Sequence, residues 1–144
     1  MWWLLFACNG SDVPTDDSGE TATDSAEPIV ASGPLQDTPT WESFENGVGT
    51  GMAWADLNND GFSELIVAYG NDIQRGPIAV YENTAGYLDE HLAWQSDSLH
   101  FYGHLDVGDL NGDGWIDVVV SRFIGDSGFG EPGGVQVFLN QEGV

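Results

Sequence analysis

Residues 109–117 read Asp-Leu-Asn-Gly-Asp-Gly-Trp-Ile-Asp, and residues 56–64 read Asp-Leu-Asn-Asn-Asp-Gly-Phe-Ser-Glu. Both stretches carry oxygen-bearing side chains at positions 1, 3, 5 and 9, a glycine at position 6 and an aromatic residue at position 7. Ca²⁺ prefers oxygen ligands, which a tight loop of carboxylates and amides supplies, and glycine permits the sharp turn because it adopts positive φ without steric cost. Asn, Asp and Gly also form turns without a metal. Two copies in one register nevertheless indicate two metal-binding loops.

The chain is strongly acidic. Its 144 residues, enough for one domain, include 24 Asp and Glu but only two bases, Arg75 and Arg122, which gives a formal net charge of −22. This balance argues against nucleic-acid binding, because phosphate contacts depend on Lys and Arg. It also argues against electrostatic binding to acidic membrane surfaces. Bound divalent cations would neutralise part of the charge where it is densest.

The two loops belong to a longer internal repeat. Residues 65–67 fall on residues 118–120 at an offset of 53, and residues 78–83 fall on residues 135–140 at an offset of 57. The second copy therefore contains four extra residues, which we assign to a glycine-rich loop within residues 125–134. A period of this length is typical of repeat architectures, in which each unit is one supersecondary motif.

Each unit is predicted to consist of β-strands. In the first unit, residues 52–55 enter the acidic loop, residues 64–69 leave it, residues 78–82 follow a turn, and residues 87–94 form a less regular fourth strand. Short β-rich segments separated by turn residues favour antiparallel strands. Four antiparallel strands per repeat are typical of a propeller blade, so the fold class is all-β.

Residues 51–61 and 103–114 resemble FG-GAP/VCBS repeats, the calcium-loop blades of integrin α-like β-propellers, and residues 80–83 and 137–140 resemble their third strand. The resemblance covers about residues 41–144 and implies two Ca²⁺ sites. The implied ligands are Asp56, Asn58, Asp60, the carbonyl of Phe62 and Glu64 in the first loop, and Asp109, Asn111, Asp113, the carbonyl of Trp115 and Asp117 in the second. Because Glu64 is one methylene longer than aspartate, the first site is expected to be looser.

Residues 41–144 are therefore predicted to form two consecutive four-stranded antiparallel blades, about 41–96 and 97–144, of an incomplete propeller. Residues 40–44 are predicted to be an additional outer strand. Because Gly143 corresponds to Gly86, the second blade is predicted to lack its last strand. A truncated gene product, a fragment completed by another chain and a small open pair of sheets all fit this pattern. An unpaired blade edge favours self-association or completion by another chain.

The N-terminus resembles a bacterial lipoprotein signal. Within residues 1–8, residues 2–7 place six apolar residues between Met1 and Cys8, too few to span a bilayer, which needs about 20 residues. The ending Leu-Phe-Ala-Cys resembles a lipobox with Cys8 as the lipidated residue; an apolar N-terminus packed on the domain is the alternative. Residues 9–40 contain seven acids, no base and no aromatic residue, so they are predicted to be a disordered, self-repelling tether. Together these features predict an exported protein, lipid-anchored in the bacterial cell envelope or at the cell surface, or secreted.

Three further motifs carry competing interpretations. An EF-hand needs an acidic ligand at position 12 of its loop, where this chain has Val67 and Val120. The Gly-Asp-Ser-Gly of residues 125–128 imitates a serine-protease segment, but a triad is defined by geometry rather than by one tetrapeptide, and we interpret it as part of the glycine-rich loop. His104 and Asp106 lie two apart on a predicted strand and thus share one face.

The leading hypothesis is a non-enzymatic, Ca²⁺-stabilised extracellular module for binding or adhesion, with an unknown protein or glycan partner. One alternative is the remnant of a propeller hydrolase or lyase with a site near His104 and Asp106. The other is a truncated gene product without independent function.

Overall fold

The structure, a computed structural model, describes residues 35–143. This part of the chain contains nine strands and is all-β, as predicted. The strands are β1 (Gly49–Ala55), β2 (Glu64–Gly70), β3 (Arg75–Tyr81), β4 (Asn83–Thr84), β5 (Tyr87–Leu88), β6 (Trp94–Gln95), β7 (Tyr102–Gly108), β8 (Asp117–Gly125) and β9 (Gly128–Phe138). Within residues 35–143 no helix is long and apolar enough to cross a membrane. The lipidation site at Cys8 and all but the last six residues of the tether lie outside the described residues.

The first sheet is an antiparallel blade with the strand order β1-β2-β3-β6. Ile66 on β2 lies opposite Ala53 on β1 and opposite Val80 on β3. Every residue of β2 is buried, which explains why this strand reads as a continuous apolar run rather than as an alternating pattern. We call this sheet blade 1, and its four strands confirm the predicted blade.

The prediction of a fourth strand over residues 87–94 is wrong except at Trp94. Ala85 and Gly86 both have positive φ, 54° and 91°, and form a tight turn that folds β5 back onto β4 as a separate two-stranded hairpin. The outer strand is instead β6, in which Trp94 pairs with Val80.

The second sheet, blade 2, has three antiparallel strands in the order β7-β8-β9, and it lacks a fourth strand within residues 35–143, as predicted. The prediction of a glycine-rich loop within residues 125–134 is wrong for most of these residues. Residues 128–134 belong to β9 and pair with the end of β8. The turn between these strands is reduced to Asp126 and Ser127.

Residues 40–44 do not form the predicted outer strand. They lie across the side of blade 1 that faces away from blade 2, where the ring of Trp41 meets that of Tyr81 edge-on with centroids 5.3 Å apart. The N–H of Phe44 donates to the carbonyl of Glu90 (2.8 Å). Under this segment lies a small core of Leu65, Val67, Tyr69, Ala79 and Tyr81, with Leu88 and Leu92 at its border.

The larger core lies between the two blades, where β1 is packed against β7. Blade 1 contributes one face of its sheet, and blade 2 contributes the opposite face of its own. The buried residues of this core are Ala55, Ile66, Ala68, Ile78 and Val80 from blade 1, and Tyr102, Leu105, Val118 and Val120 from blade 2.

We call the side of blade 1 that meets blade 2 its front face. The repeat offsets place Val119, Ser121, Val135 and Val137 at the equivalent positions of blade 2. Ile78 is fully buried, whereas its equivalent Val135 is 70% exposed. Within the part of the chain that the structure describes, the front face of blade 2 is therefore an apolar surface that no other blade covers.

Candidate functional site

The second acidic loop follows β7 and folds around the carboxylate of Asp109. Oδ1 of Asp109 accepts from the N–H of Gly112 (2.7 Å), and Oδ2 accepts from the N–H of Gly114 (3.0 Å). These hydrogen bonds, that of Gly114 first, lower the pKa of Asp109, because they stabilise the charged form. Further along, Oδ1 of Asp113 accepts from the N–H of Trp115 (2.9 Å).

The first acidic loop follows β1 and repeats this geometry. Oδ1 of Asp56 accepts from the N–H of Asp60 (3.0 Å), and Oδ2 accepts from the N–H of Gly61 (2.9 Å). Oδ1 of Asp60 accepts from the N–H of Phe62 (2.8 Å). Because equivalent residues make the same hydrogen bonds, the two loops that match in sequence also share one backbone structure.

The two loops differ at position 9, which opens the following strand. Asp117 is fully buried, and each of its oxygens has a donor: Leu110 N–H on Oδ2 and Asn140 N–H on Oδ1, both at 2.9 Å. Glu64 is only 2% exposed; its Oε2 accepts from the N–H of Leu57 (2.7 Å), but its buried Oε1 has no hydrogen-bond partner among residues 35–143.

The electrostatics of Glu64 follow from this environment. Burial raises the pKa of Glu64, the hydrogen bond from Leu57 opposes that rise, and the neighbouring carboxylates of Asp60 and Asp56 add to it. A buried, unpaired carboxylate oxygen beside two other acids is a position that a cation would stabilise.

The chemistry of both loops fits a hard cation, because every predicted ligand is an oxygen donor. Within residues 35–143, however, no three Asp, Glu, His or Cys side chains converge on a single point as a ready-made metal site. The carboxylates instead accept hydrogen bonds from the loop backbone. The assignment of the ten predicted ligands stays a prediction.

Asn140 is a site residue that the sequence did not reveal. Its side-chain Nδ2 donates to the carbonyl of Leu57 in the first loop (2.8 Å) and to that of Ile116 beside the second (3.2 Å). The repeat matched Asn140 with Asn83, whose side-chain Nδ2 donates within its own blade, to the carbonyl of Ser63 (2.9 Å). The repeat match between Asn140 and Asn83 therefore indicates a shared role within each blade, but it does not predict the bond from Asn140 to the other blade.

His104 and Asp106 lie on β7 with exposed side chains, as expected for two residues of one strand face. The side chain of Asp106 accepts from the N–H of Val107 (2.9 Å), and the carbonyl of His104 accepts from the hydroxyl of Ser121 (3.1 Å). The pair lies on the side of β7 that does not enter the core between the blades.

A second set of interacting residues that the sequence did not predict surrounds Asp126, in the turn between β8 and β9. Its Oδ1 accepts from Nδ1 of His100 and from Nη2 of Arg122, both at 2.9 Å, and its carbonyl accepts from Nη2 of Arg75. Arg75 also lies over the ring of Phe101, 5.1 Å from its centroid. Both arginines of the chain thus meet at one residue, which ties β3 of blade 1 to the hairpin of blade 2.

Comparison with known proteins agrees with this description. A family described as FG-GAP-like repeat matches residues 56–120, which include both acidic loops. Integrin alpha-7 of Mus musculus is 34% identical to the chain over 95 residues, and that of Homo sapiens is 36% identical over 95 residues. Each match covers 59% of this chain and 8% of the integrin, so the chain spans less than a tenth of these relatives. No solved structure matches the chain significantly.

Proposed function

We propose that the chain, whose residues 56–120 match the FG-GAP-like repeat family, is a member of that family. In this proposal it is a non-enzymatic, β-propeller-type module that Ca²⁺ stabilises in its two acidic loops and that binds a partner outside the cell. The partner is a protein or a glycan, and the similarity to integrin alpha-7 supports a role in binding or adhesion. Lipidation of Cys8 would hold the module at the cell envelope.

The observation that carries the calcium proposal is the unpaired Oε1 of Glu64. In the first loop, Asp56, Asp60 and Glu64 bring three carboxylates into one short segment, and a bound cation would offset both their repulsion and the burial of Glu64. The ion supplies positive charge and oxygen coordination. The chain supplies the two folded loops, each already held by backbone hydrogen bonds to its first aspartate.

The front face of blade 2 supports the binding proposal. Its valines stand at the positions through which blade 1 packs on blade 2, and Val135 and Val137 are 70% and 50% exposed. A contiguous exposed apolar surface on a soluble domain marks an interaction site. We propose that a blade of a different chain covers this face.

Thermal unfolding of the full chain in EDTA and in Ca²⁺ tests the calcium proposal. Extracellular calcium modules have Kd values on the order of 10⁻⁴–10⁻³ M. At tenfold Kd each loop is expected to add about 1.4 kcal/mol to the free energy of unfolding. The double variant Asp109→Asn/Asp113→Asn should lose at least half of the gain, whereas Asp97→Asn, an exposed acid outside both loops, should keep it. Equal melting temperatures of the natural chain in EDTA and in millimolar Ca²⁺ would overturn the proposal.

A further inference from the structure

A continuous path of hydrogen bonds joins the last acids of the two loops. Leu57 N–H donates to Oε2 of Glu64 (2.7 Å), and Nδ2 of Asn140 donates to the carbonyl of the same Leu57 (2.8 Å). The N–H of Asn140 in turn donates to Oδ1 of Asp117 (2.9 Å). Asn140, two residues beyond the end of β9, therefore holds the position-9 carboxylate of its own loop directly. It holds that of the other loop through one intervening residue, Leu57, whose C=O accepts from Asn140 and whose N–H donates to Glu64.

The turn that follows Asn140 lies against both loops. The N–H of Gly143 donates to Oδ1 of Asn140 (2.8 Å), which closes the turn. A Cβ atom at Gly143 would lie 3.1 Å from the ring of Trp115 and 3.2 Å from Cα of Asn58. The backbone of this turn thus packs tightly between the second loop and the first, and it fixes the amide of Asn140 where it reaches Leu57.

Asn83 provides an internal comparison, because it stands at the repeat-equivalent position of blade 1. Both asparagines close the same turn, with Gly86 N–H donating to Oδ1 of Asn83 (3.0 Å). Both also bond a carbonyl of their own loop, that of Ser63 for Asn83. The bond to Leu57 distinguishes Asn140, because it crosses from one blade to the other.

We infer that Asn140 is a positioning residue that couples the two acidic loops, so that occupancy of one loop raises the cation affinity of the other. This inference rests on the calcium function proposed above. When Asp117 is fixed, the backbone of Asn140 and its amide on Leu57 are fixed with it, and Leu57 N–H then holds Glu64 in place. The first cation to bind orders this shared path and bears the loss of conformational entropy. The second cation then binds more tightly, because the path is already ordered. Since coupling between sites is reciprocal, either loop strengthens the other by the same factor.

The test is a Ca²⁺ titration of the ¹⁵N-labelled full chain by NMR. The amide of Gly61 reports on the first loop and that of Gly114 on the second, because each donates to the first aspartate of its loop. Disabling the second loop with Asp109→Asn/Asp113→Asn should weaken Ca²⁺ binding at Gly61 by about fivefold or more, the lower end of ordinary coupling between sites. Asn140→Ala should produce a similar weakening while both loops remain intact, and Asn83→Ala should not.

The outcomes separate the two proposals. If both glycine amides titrate but the affinity at Gly61 is the same with and without the second loop, the coupling is overturned and the calcium function stands. Equal effects of Asn140→Ala and Asn83→Ala would reduce Asn140 to an ordinary turn residue and overturn its assigned role. If neither amide responds to millimolar Ca²⁺, both proposals fail. Circular dichroism establishes that Asn140→Ala is folded; should it unfold, the comparison with the loop-disabled variant decides the coupling by itself.

Discussion

Glu64 and Asp117 occupy the same position of the two loops and are both buried, but Asp117 has a hydrogen-bond donor on each carboxylate oxygen whereas Glu64 has a donor on only one. The same sequence position is therefore satisfied by the protein alone in one blade and left incomplete in the other. The difference arises from chain geometry, since Asn140 N–H reaches Asp117 in blade 2.

Replacing these two acids is expected to give opposite results in the absence of Ca²⁺. Glu64→Gln removes a buried charge but keeps an acceptor for Leu57, so it should raise the free energy of unfolding in EDTA by about 1 kcal/mol. Asp117→Asn places an amide where two N–H groups converge and should lower it by about 1–3 kcal/mol. Thermal unfolding in EDTA measures both. In Ca²⁺ the gain from Glu64→Gln should disappear; a loss in EDTA as large as that of Asp117→Asn would contradict this account.

The core between the blades can be tested with one residue type at repeat-equivalent positions. Val80 is 9% exposed in the core, and Val137, at the offset of 57, is 50% exposed on the front face of blade 2. Val80→Ala should lower the free energy of unfolding by about 2 kcal/mol, from lost burial and a residual cavity. Val137→Ala should change it by less than about 0.5 kcal/mol. Urea unfolding measures both values, and equal losses would show that the front face of blade 2 is covered in solution.

Trp41 is expected to stabilise blade 1 by covering its second core. The side chain packs edge-on against Tyr81, and its Nε1 donates to the carbonyl of Asp89 (3.3 Å). Trp41→Ala should lower the free energy of unfolding by about 2–3 kcal/mol, somewhat less than for a fully buried tryptophan. Trp54, 55% exposed on β1, is the matched control, and Trp54→Ala should have a smaller effect. If urea unfolding shows that Trp41→Ala lowers the free energy of unfolding no more than Trp54→Ala does, residues 41–44 do not stabilise blade 1.

The cluster around Asp126 predicts a defined pH dependence. The hydrogen bond from His100 chiefly holds the pKa of Asp126 below its ordinary value of 3.8, and the charges of Arg122 and Arg75 contribute further. Because the folded-state pKa is lowered, its stabilising contribution is present above the ordinary value and is lost as the pH falls through the lowered one. The stability difference between the natural chain and Asp126→Asn should therefore shrink as the pH falls below about 4. Urea unfolding at several pH values below about 5 measures it, with the exposed Asp97→Asn as the control; a difference that grows as the pH falls below about 4 would contradict the lowered pKa of Asp126.

The sequence predicted the loops and the three main strands of blade 1 because each is determined locally. Alternating oxygen-bearing residues around a glycine define the loops, and the apolar run over residues 65–69 favours a strand that is buried on both faces. The outer strand was misplaced because Trp94 and Gln95 form only two residues of strand, whose identity comes from pairing with β3 rather than from their own pattern.

The remaining features depend on partners distant in the sequence. Residues 128–134 read as a loop because glycine disfavours strands, yet pairing with β8 imposes an extended conformation on them. The bond from Asn140 to Leu57 joins residues 83 apart, and the group at Asp126 gathers residues of both blades. Neither contact can be recognised from the local amino-acid composition, so only the three-dimensional structure reveals them.

The contacts of Asp126 also affect which charges the surface can offer to a partner. Arg75 and Arg122 are the only Lys or Arg residues of this chain, and both are engaged with Asp126. The rest of the surface offers carboxylates and, apart from histidine, no positively charged side chain. In any ionic contact elsewhere on this surface, the positive charge comes from the partner or from a shared cation, so a basic partner is favoured and two copies of the chain repel one another at low salt.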